Sequence, residues 1–410
     1  MNGQYLFEVM NDIDDSFVEE AQSYKPNKKR GVSRVTFAIA AAAACIALIF
    51  IFVPGGEAPP PDITTNPPEL PMLTIDTDTM FEAMGFEGYM AYSIDDLQNA
   101  NPWNEELVLK ALPVYENAYG YNWRGVAESP DYDAMERRAV EVALLLGIDE
   151  EDIKISNDAP SQETIDRLTE KYASVGEEVP EHEFTVGKMI ASSENIKVDV
   201  YTDMSVAIWF EPAAGLPDEI NFDYYASYED IWAAGEYFKD EYKNLLQMDS
   251  PQIDVHGGDY NIYANRSYGL GIFEGSGSPE EQIINYNFNE YTFSSDEEGR
   301  LWIIRTHQRD LSQKLGDYPI ITVEDARGLL IDNRYITTVP EEFPGGDYIR
   351  KVELVYRTGR ESIYMPYYRF YVELPAMKMD NGLKTYGAYY VPAVAGEYIE
   401  EMPLWDGSFN

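Results

Sequence analysis

The sequence predicts an α+β protein: one transmembrane helix, followed by an ectodomain of antiparallel sheets packed by helices. Two observations predict it. Val35 to Val53 is nineteen residues without a charge, the length a bilayer span requires. Beyond residue 71, capped helical runs alternate with short β-rich runs closed by turn signals. That is the pattern of helix followed by antiparallel meander, not of regular βαβ units.

Residues 1–34 read as a cytoplasmic amphipathic tail. Leu6, Met10, Ile13, Phe17 and Ala21 recur at spacings of three and four, which makes one apolar stripe on a helix, with Asp12, Asp15 and Glu19 opposite. A lone helix of this kind has no core of its own, so Leu6, Met10, Ile13 and Phe17 are the candidate contacts with a cytoplasmic or membrane protein. The acidic polar face argues against adsorption to the membrane surface.

Residues 35–53 form the predicted transmembrane helix, about 28 Å long at about 1.5 Å per residue. Lys25, Lys28, Lys29, Arg30 and Arg34 crowd its N-terminal flank, and residues 54–109 hold no Lys or Arg. The positive-inside rule then puts the N-terminus in the cytoplasm and the C-terminal part outside the cell membrane. A cleaved signal would end its apolar run at small residues, whereas here Ala40–Ala44 come first and Ile46–Val53 continue the run. Residues 54–71 carry seven prolines and read as a semi-rigid stalk reaching at most about 55 Å.

Three ectodomain parts are expected. The helix-rich part, 72–190, holds a helix at Asp133–Leu146 stopped by Gly147, and a second at Ser161–Tyr172 with Ser161 as cap. The α+β part, 191–319, holds strands at Ile196–Tyr201 and Ser205–Phe210, then a helix at Tyr228–Leu246. Further strands are expected at Tyr260–Ala264, Gly269–Phe273, Ile283–Phe293 and Leu301–Arg305, with a hairpin turn at Asp296–Gly299. The region 180–310 repeats a strand/helix/strand mixture that suggests a diverged second copy. The last part, 320–410, has Thr322 capping a helix Val323–Ile331. Strands Lys351–Arg357, Tyr367–Leu374 and Tyr386–Val391 follow, with Asp380-Asn381-Gly382 as the turn between the last two.

Two resemblances bear on these segments. The string Asp12-Ile13-Asp14-Asp15-Ser16-Phe17-Val18-Glu19-Glu20-Ala21, the basic patch and the Ala-rich span with Cys45 resemble the N-terminus of clostridial single-pass, anti-sigma-factor-like membrane proteins. The His/Cys zinc motif of zinc-type anti-sigma domains is absent. The helix-then-meander order of 320–410, with Leu354-Val355-Tyr356-Arg357 and Pro366-Tyr367-Tyr368-Arg369-Phe370-Tyr371, resembles PepSY-like modules. It is also similar to the extracytoplasmic regulators of a Gram-positive wall-metabolism kinase. The resemblance implies a module that regulates a partner and does not catalyse.

Composition narrows the function classes. The net charge is −43, and past residue 34 there are 25 Lys/Arg against 67 Asp/Glu, which argues against nucleic acid. Cys45 is the single cysteine and lies in the apolar run, so no internal disulfide and no Cys-based zinc site can form. His182, His256 and His307 follow no metal-ligand spacing, and Gly275-Ser276-Gly277-Ser278-Pro279 is not a nucleophile elbow but reads as a flexible loop. Asp76-Thr77-Asp78 and Asp254 to Asp259 are oxygen-rich but lack the calcium loop and its terminal Glu. Trp103, Trp123, Trp209 and Trp232 could stack on sugars, yet fit cores beside sheets better.

No catalytic, cofactor-binding or metal residue is therefore expected. The function expected is a non-enzymatic, membrane-anchored extracytoplasmic sensor or regulator, binding a protein or wall-derived ligand. The alternatives are a surface-tethered, carboxylate-dependent glycoside hydrolase, or a structural or adhesive surface module.

Overall fold

The computed structural model describes residues 70–75, 86–121, 127 and 129–405. The tail with Leu6, Met10, Ile13 and Phe17, the 35–53 span and the stalk up to residue 69 lie outside the described residues. Among the described residues no helix is long and apolar enough to cross a membrane. The chain divides into Met1–Thr64 and Thr65–Asn410, and every element below belongs to the second unit.

In chain order the elements begin with β1 (Gly88–Ala91), β2 (Ala111–Glu116), α1 (Tyr132–Leu145), β3 (Lys154–Asn157) and α2 (Gln162–Ser174). Next come β4 (Lys188–Ser192), β5 (Ile196–Tyr201), β6 (Val206–Ala214), α3 (Tyr228–Glu241), α4 (Lys243–Leu246), β7 (Pro251–Tyr260) and β8 (Arg266–Glu274). Then follow α5 (Pro279–Phe288), β9 (Asn289–Ser295), β10 (Leu301–Gln308), β11 (Lys314–Pro319), α6 (Val323–Ile331) and β12 (Ile336–Thr337). The chain ends with β13 (Ile349–Tyr356), β14 (Ile363–Tyr364), β15 (Pro366–Leu374) and β16 (Lys384–Pro392).

The architecture is α+β with antiparallel sheets. An eight-stranded sheet runs β3-β4-β5-β6-β10-β9-β8-β7. Read from either edge its strands are consecutive, so it is two four-stranded meanders joined through their last strands, β6 and β10. A helix leads each meander: α1 packs on β4 and β5, and α3 on β7 and β8. Both helices bury into one core with Val198, Ile208, Ile253, Leu270 and Phe293. A second sheet runs β1-β16-β15-β13, with β12 on β16. Here α6 buries Ala326 and Leu330 against Leu354, Phe370 and Val391. The helix-plus-meander pattern thus occurs three times. A small sheet, β11-β2-β14, completes the fold.

Side chains alternate across the pleat. On β7, Ile253 and Val255 join the helix-covered core, so Asp254 and His256 take the opposite face. The same alternation on β9 buries Tyr291 and Phe293 and turns Glu290 outward beside them. Residues 93–103, after β1, form a strap between the two large sheets. Gln98 exchanges backbone hydrogen bonds with Gly257 of β7 (2.9 and 3.1 Å). Asn99 and Asn101 reach β13, donating to Glu353 Oε1 (2.6 Å) and the Leu354 carbonyl (3.1 Å).

Several expectations hold and some do not. Ser161 and Thr322 cap α2 and α6 as read, the latter in a capping box with Asp325. The helix expected at Tyr228–Leu246 breaks at Tyr242 into α3 and α4. The strand expected at Tyr260–Ala264 is a turn, in which Asn261 Oδ1 accepts from the Tyr263 and Asn265 amides (2.9 and 3.1 Å). The strand expected at Ile283–Phe293 begins as α5, because Ser278 and Glu281 form a capping box with Pro279 in the first turn. The eight-stranded sheet draws on residues 154–308 and so runs across residue 190.

Candidate functional site

The outward face of the second meander meets the five-stranded sheet through the strap, and chemistry-bearing side chains gather there. On β13 and β15, Glu353 and Arg369 are register partners. Glu353 is 2 % exposed and fully engaged: Arg369 Nε donates to Oε2 (3.1 Å), Lys351 Nζ lies 2.7 Å from Oε1, and Tyr371 Oη donates to Oε2 at 3.2 Å. Burial alone would raise its pKa, but Arg369, Lys351 and Asn99 outweigh it and hold the carboxyl down at about 2.

Next to this network lies a cavity of about 380 Å³, lined among others by Glu87, Tyr286, Glu290, Arg357, Arg360, Glu361, Arg369 and Tyr390. Its charged walls balance, three arginines against three glutamates. Tyr390 Oη donates to Glu87 Oε1 (3.0 Å) and Arg357 Nε to Glu361 Oε1 (3.2 Å). The Arg357 guanidinium lies over the Tyr390 ring, 4.6 Å from its centroid. Burial raises the Glu87 pKa, against the pull of Arg357 and Arg369. Glu87 Oε2, Glu361 Oε2 and Glu290 Oε1 are shut off from solvent and find no hydrogen-bond partner among the described residues.

Glu290 joins this cavity to a second cluster. Asp254, His256 and Glu290 each bring a ligand atom within 4.8 Å of the others. Asp254 is 3 % exposed; its Oδ1 accepts from the Ala100 amide (2.5 Å), and its Oδ2 stands 3.2 Å from His256 Nδ1. That contact is a close charge pairing without hydrogen-bond alignment, since Nδ1 has no aligned partner among the described residues. Burial and the neighbouring Asp254 charge push the Glu290 carboxyl up to about 7, despite His256. Burial opposes charge on His256, yet Asp254 and Glu290 outweigh it and raise the imidazole pKa.

Among the described residues this is the one group of three or more His, Cys, Asp and Glu placed to share a cation. The sequence places Asp254 and His256 in an oxygen-rich stretch and gives the three histidines no metal-ligand spacing. Missing from that pattern is Glu290, which arrives from another strand. The Asp-x-His spacing on a strand was the available signal, since residues two apart share a face. His307 holds the register position opposite Glu290.

The aromatic candidates fall elsewhere. Trp103 is buried against Tyr368, with ring centroids 5.7 Å apart. Trp209 meets Trp302 edge-on across the β6–β10 seam at 5.2 Å. Trp232 is on the surface of α3, and Trp123 lies outside the described residues. Asp76-Thr77-Asp78 lies outside them too. No family model matches the chain, and no curated protein matches it.

Proposed function

We propose that the chain is a single-pass membrane protein of the cell surface, N-terminus cytoplasmic, whose outer part is a non-enzymatic sensor or regulator. The outer part takes a small wall-derived ligand bearing both charge signs, and the tail helix presents Leu6, Met10, Ile13 and Phe17 to a cytoplasmic or membrane partner. The charge-balanced cavity between the sheets carries this reading: it offers Arg369 from β15, Arg357 and Arg360 from the segment after β13, and unpartnered glutamate oxygens, the polar groups that fix a ligand's orientation. The uncharged 35–53 run with its basic flank supports the topology. The likeness of 320–410 to PepSY-like modules supports regulation over catalysis.

The test has two arms. Muropeptide fragments added to the full chain in detergent should raise its melting temperature by several degrees, and Arg360→Ala should reduce that shift. Deleting residues 4–21 should remove a partner from a membrane pull-down while leaving the ligand-induced shift intact. No shift with any wall fragment, together with an unchanged partner set, would sink the proposal.

One observation favours a second reading, glycoside hydrolysis. The ligand atoms of Asp254 and Glu290 lie within 4.8 Å, near the roughly 5–5.5 Å carboxyl separation of retaining enzymes. Glu290 also has an acid's raised pKa. Against it, Asp254 is buried and spends Oδ1 on the Ala100 amide, which leaves a sugar carbon no approach. Release of reducing ends from purified wall polysaccharide, abolished by Glu290→Gln, would favour the hydrolase.

A further inference from the structure

Three side chains converge on the outward face of the second meander. Asp254 and His256 stand two residues apart on β7, so the pleat sets both on one face, and Glu290 reaches the same point from β9. Between those strands runs β8, with Gly269 at the register position opposite His256 and Gly271 opposite Asp254. A Cβ on Gly269 would stand 2.3 Å from His256 Nε2, and one on Gly271 would stand 1.8 Å from Glu290 Oε1. The middle strand is bare where its neighbours' side chains lean across it.

Two polar atoms in this cluster lack an aligned hydrogen bond. Glu290 Oε1 and His256 Nδ1 are closed to solvent and find no hydrogen-bond partner among the described residues. A buried polar group left unsatisfied destabilises the fold, more so when charged. A bound ion is one of the few things that explains such a pair in a folded protein.

We propose that Asp254, His256 and Glu290 bind a divalent first-row transition cation of the zinc class. Two carboxylates and one neutral imidazole carry a formal charge of minus two, which such a cation neutralises, and it also removes the repulsion between Asp254 and Glu290. Ligand distances of about 2.0–2.1 Å at tetrahedral angles put ligand atoms about 3.3 Å apart. Asp254 Oδ2 and His256 Nδ1 already stand 3.2 Å apart. Glu290 has then to close from at most 4.8 Å, a movement its own side-chain torsions supply. The Ala100 amide on Oδ1 orients the Asp254 carboxylate and leaves Oδ2 for the ion, the usual task of an outer-sphere partner. Three protein ligands leave the fourth tetrahedral position to a water molecule. Calcium would need six to eight oxygens, more than this cluster holds.

The proposal shares Glu290 with the cavity described above but is tested with the metal alone, without any cavity ligand. Full chain in detergent is stripped with EDTA, dialysed against Zn²⁺ at pH 7.5 with millimolar Ca²⁺ present to occupy the acidic surface, and assayed for bound metal and melting temperature. The wild type should retain one zinc equivalent more than Glu290→Gln or His256→Gln, and zinc should raise its melting temperature by several degrees. The stripped Glu290→Gln protein should melt no lower than the stripped wild type, because the substitution removes an orphaned charge. That comparison separates a lost ligand from a lost fold. Equal zinc content in the wild type and both variants would overturn the proposal, as would full displacement of the extra equivalent by Ca²⁺.

Discussion

Glu353 stands on β13 opposite Arg369 of β15. Its carboxylate is sealed in the interior, with Arg369 and Lys351 as charge partners and Asn99 and Tyr371 as donors. Removing one member of a buried ion pair strands the other, at a cost of roughly 3–5 kcal/mol. Glu353→Gln should therefore lower the melting temperature sharply at neutral pH, leaving Arg369 buried beside a neutral amide. The sign of the pH dependence follows from the lowered pKa. Unfolded, the carboxyl titrates near 4.5; folded, near 2. The stability it contributes is complete above about pH 4.5 and drains away as the pH falls toward 2. The gap in melting temperature between wild type and Glu353→Gln should shrink steadily over that window. A gap of constant width from pH 7 to pH 2.5 would show that the carboxylate charge is not what the site uses.

At the scale of elements, β8 does the most for the cluster by contributing the least bulk. Gly271→Ala places a methyl group where Glu290 Oε1 now lies. The flexible carboxylate can swing aside, so the fold should survive with its melting temperature within a few degrees of the wild type. Zinc retention should fall by an order of magnitude, because a displaced ligand costs more in binding than in folding. Undiminished zinc retention in Gly271→Ala would mean that Glu290 does not reach the ion. The elements themselves were legible wherever the signal was local. Ser161 and Thr322 announce helix starts, and Asp296–Gly299 and Asp380–Gly382 announce turns, because each acts on backbone groups a few residues away. The same grammar existed at Ser278-Pro279-Glu280-Glu281, but the neighbouring glycines gave it the look of a flexible loop, and α5 was read as strand. The cluster was half legible. Asp254 and His256 stand at the two-residue spacing of one strand face, though the sequence reading puts no strand at 251–259, whereas Glu290 and the bare stripe on β8 acquire meaning only from sheet register, which no local pattern encodes.

At the scale of the whole molecule, the three helix-plus-meander units do not behave as three domains. The strap at 93–103 is laced to β7 through Gln98 and to β13 through Asn99 and Asn101. Sheet order explains why sequence pattern alone could not reveal this: β6 pairs with β10 and β1 with β16, contacts between segments far apart in the chain. The C-terminal unit is the clearest case. Its core against α6 also holds Trp103, Leu112, Ile283 and Phe288, none of which belongs to 320–410. Residues Lys384 to Gly387 of β16 are covered by β1, so a fragment of 320–410 alone would expose that part of the edge and lose apolar core at once. Such a fragment is expected to lack a cooperative thermal transition. A chain starting at Thr65, where the second compact unit begins, should instead melt within a degree or two of the full chain, since it keeps the strap, both large sheets and all their shared core. A sharp transition in the isolated 320–410 fragment would contradict this coupling, and the three units would then have to be treated as separable domains.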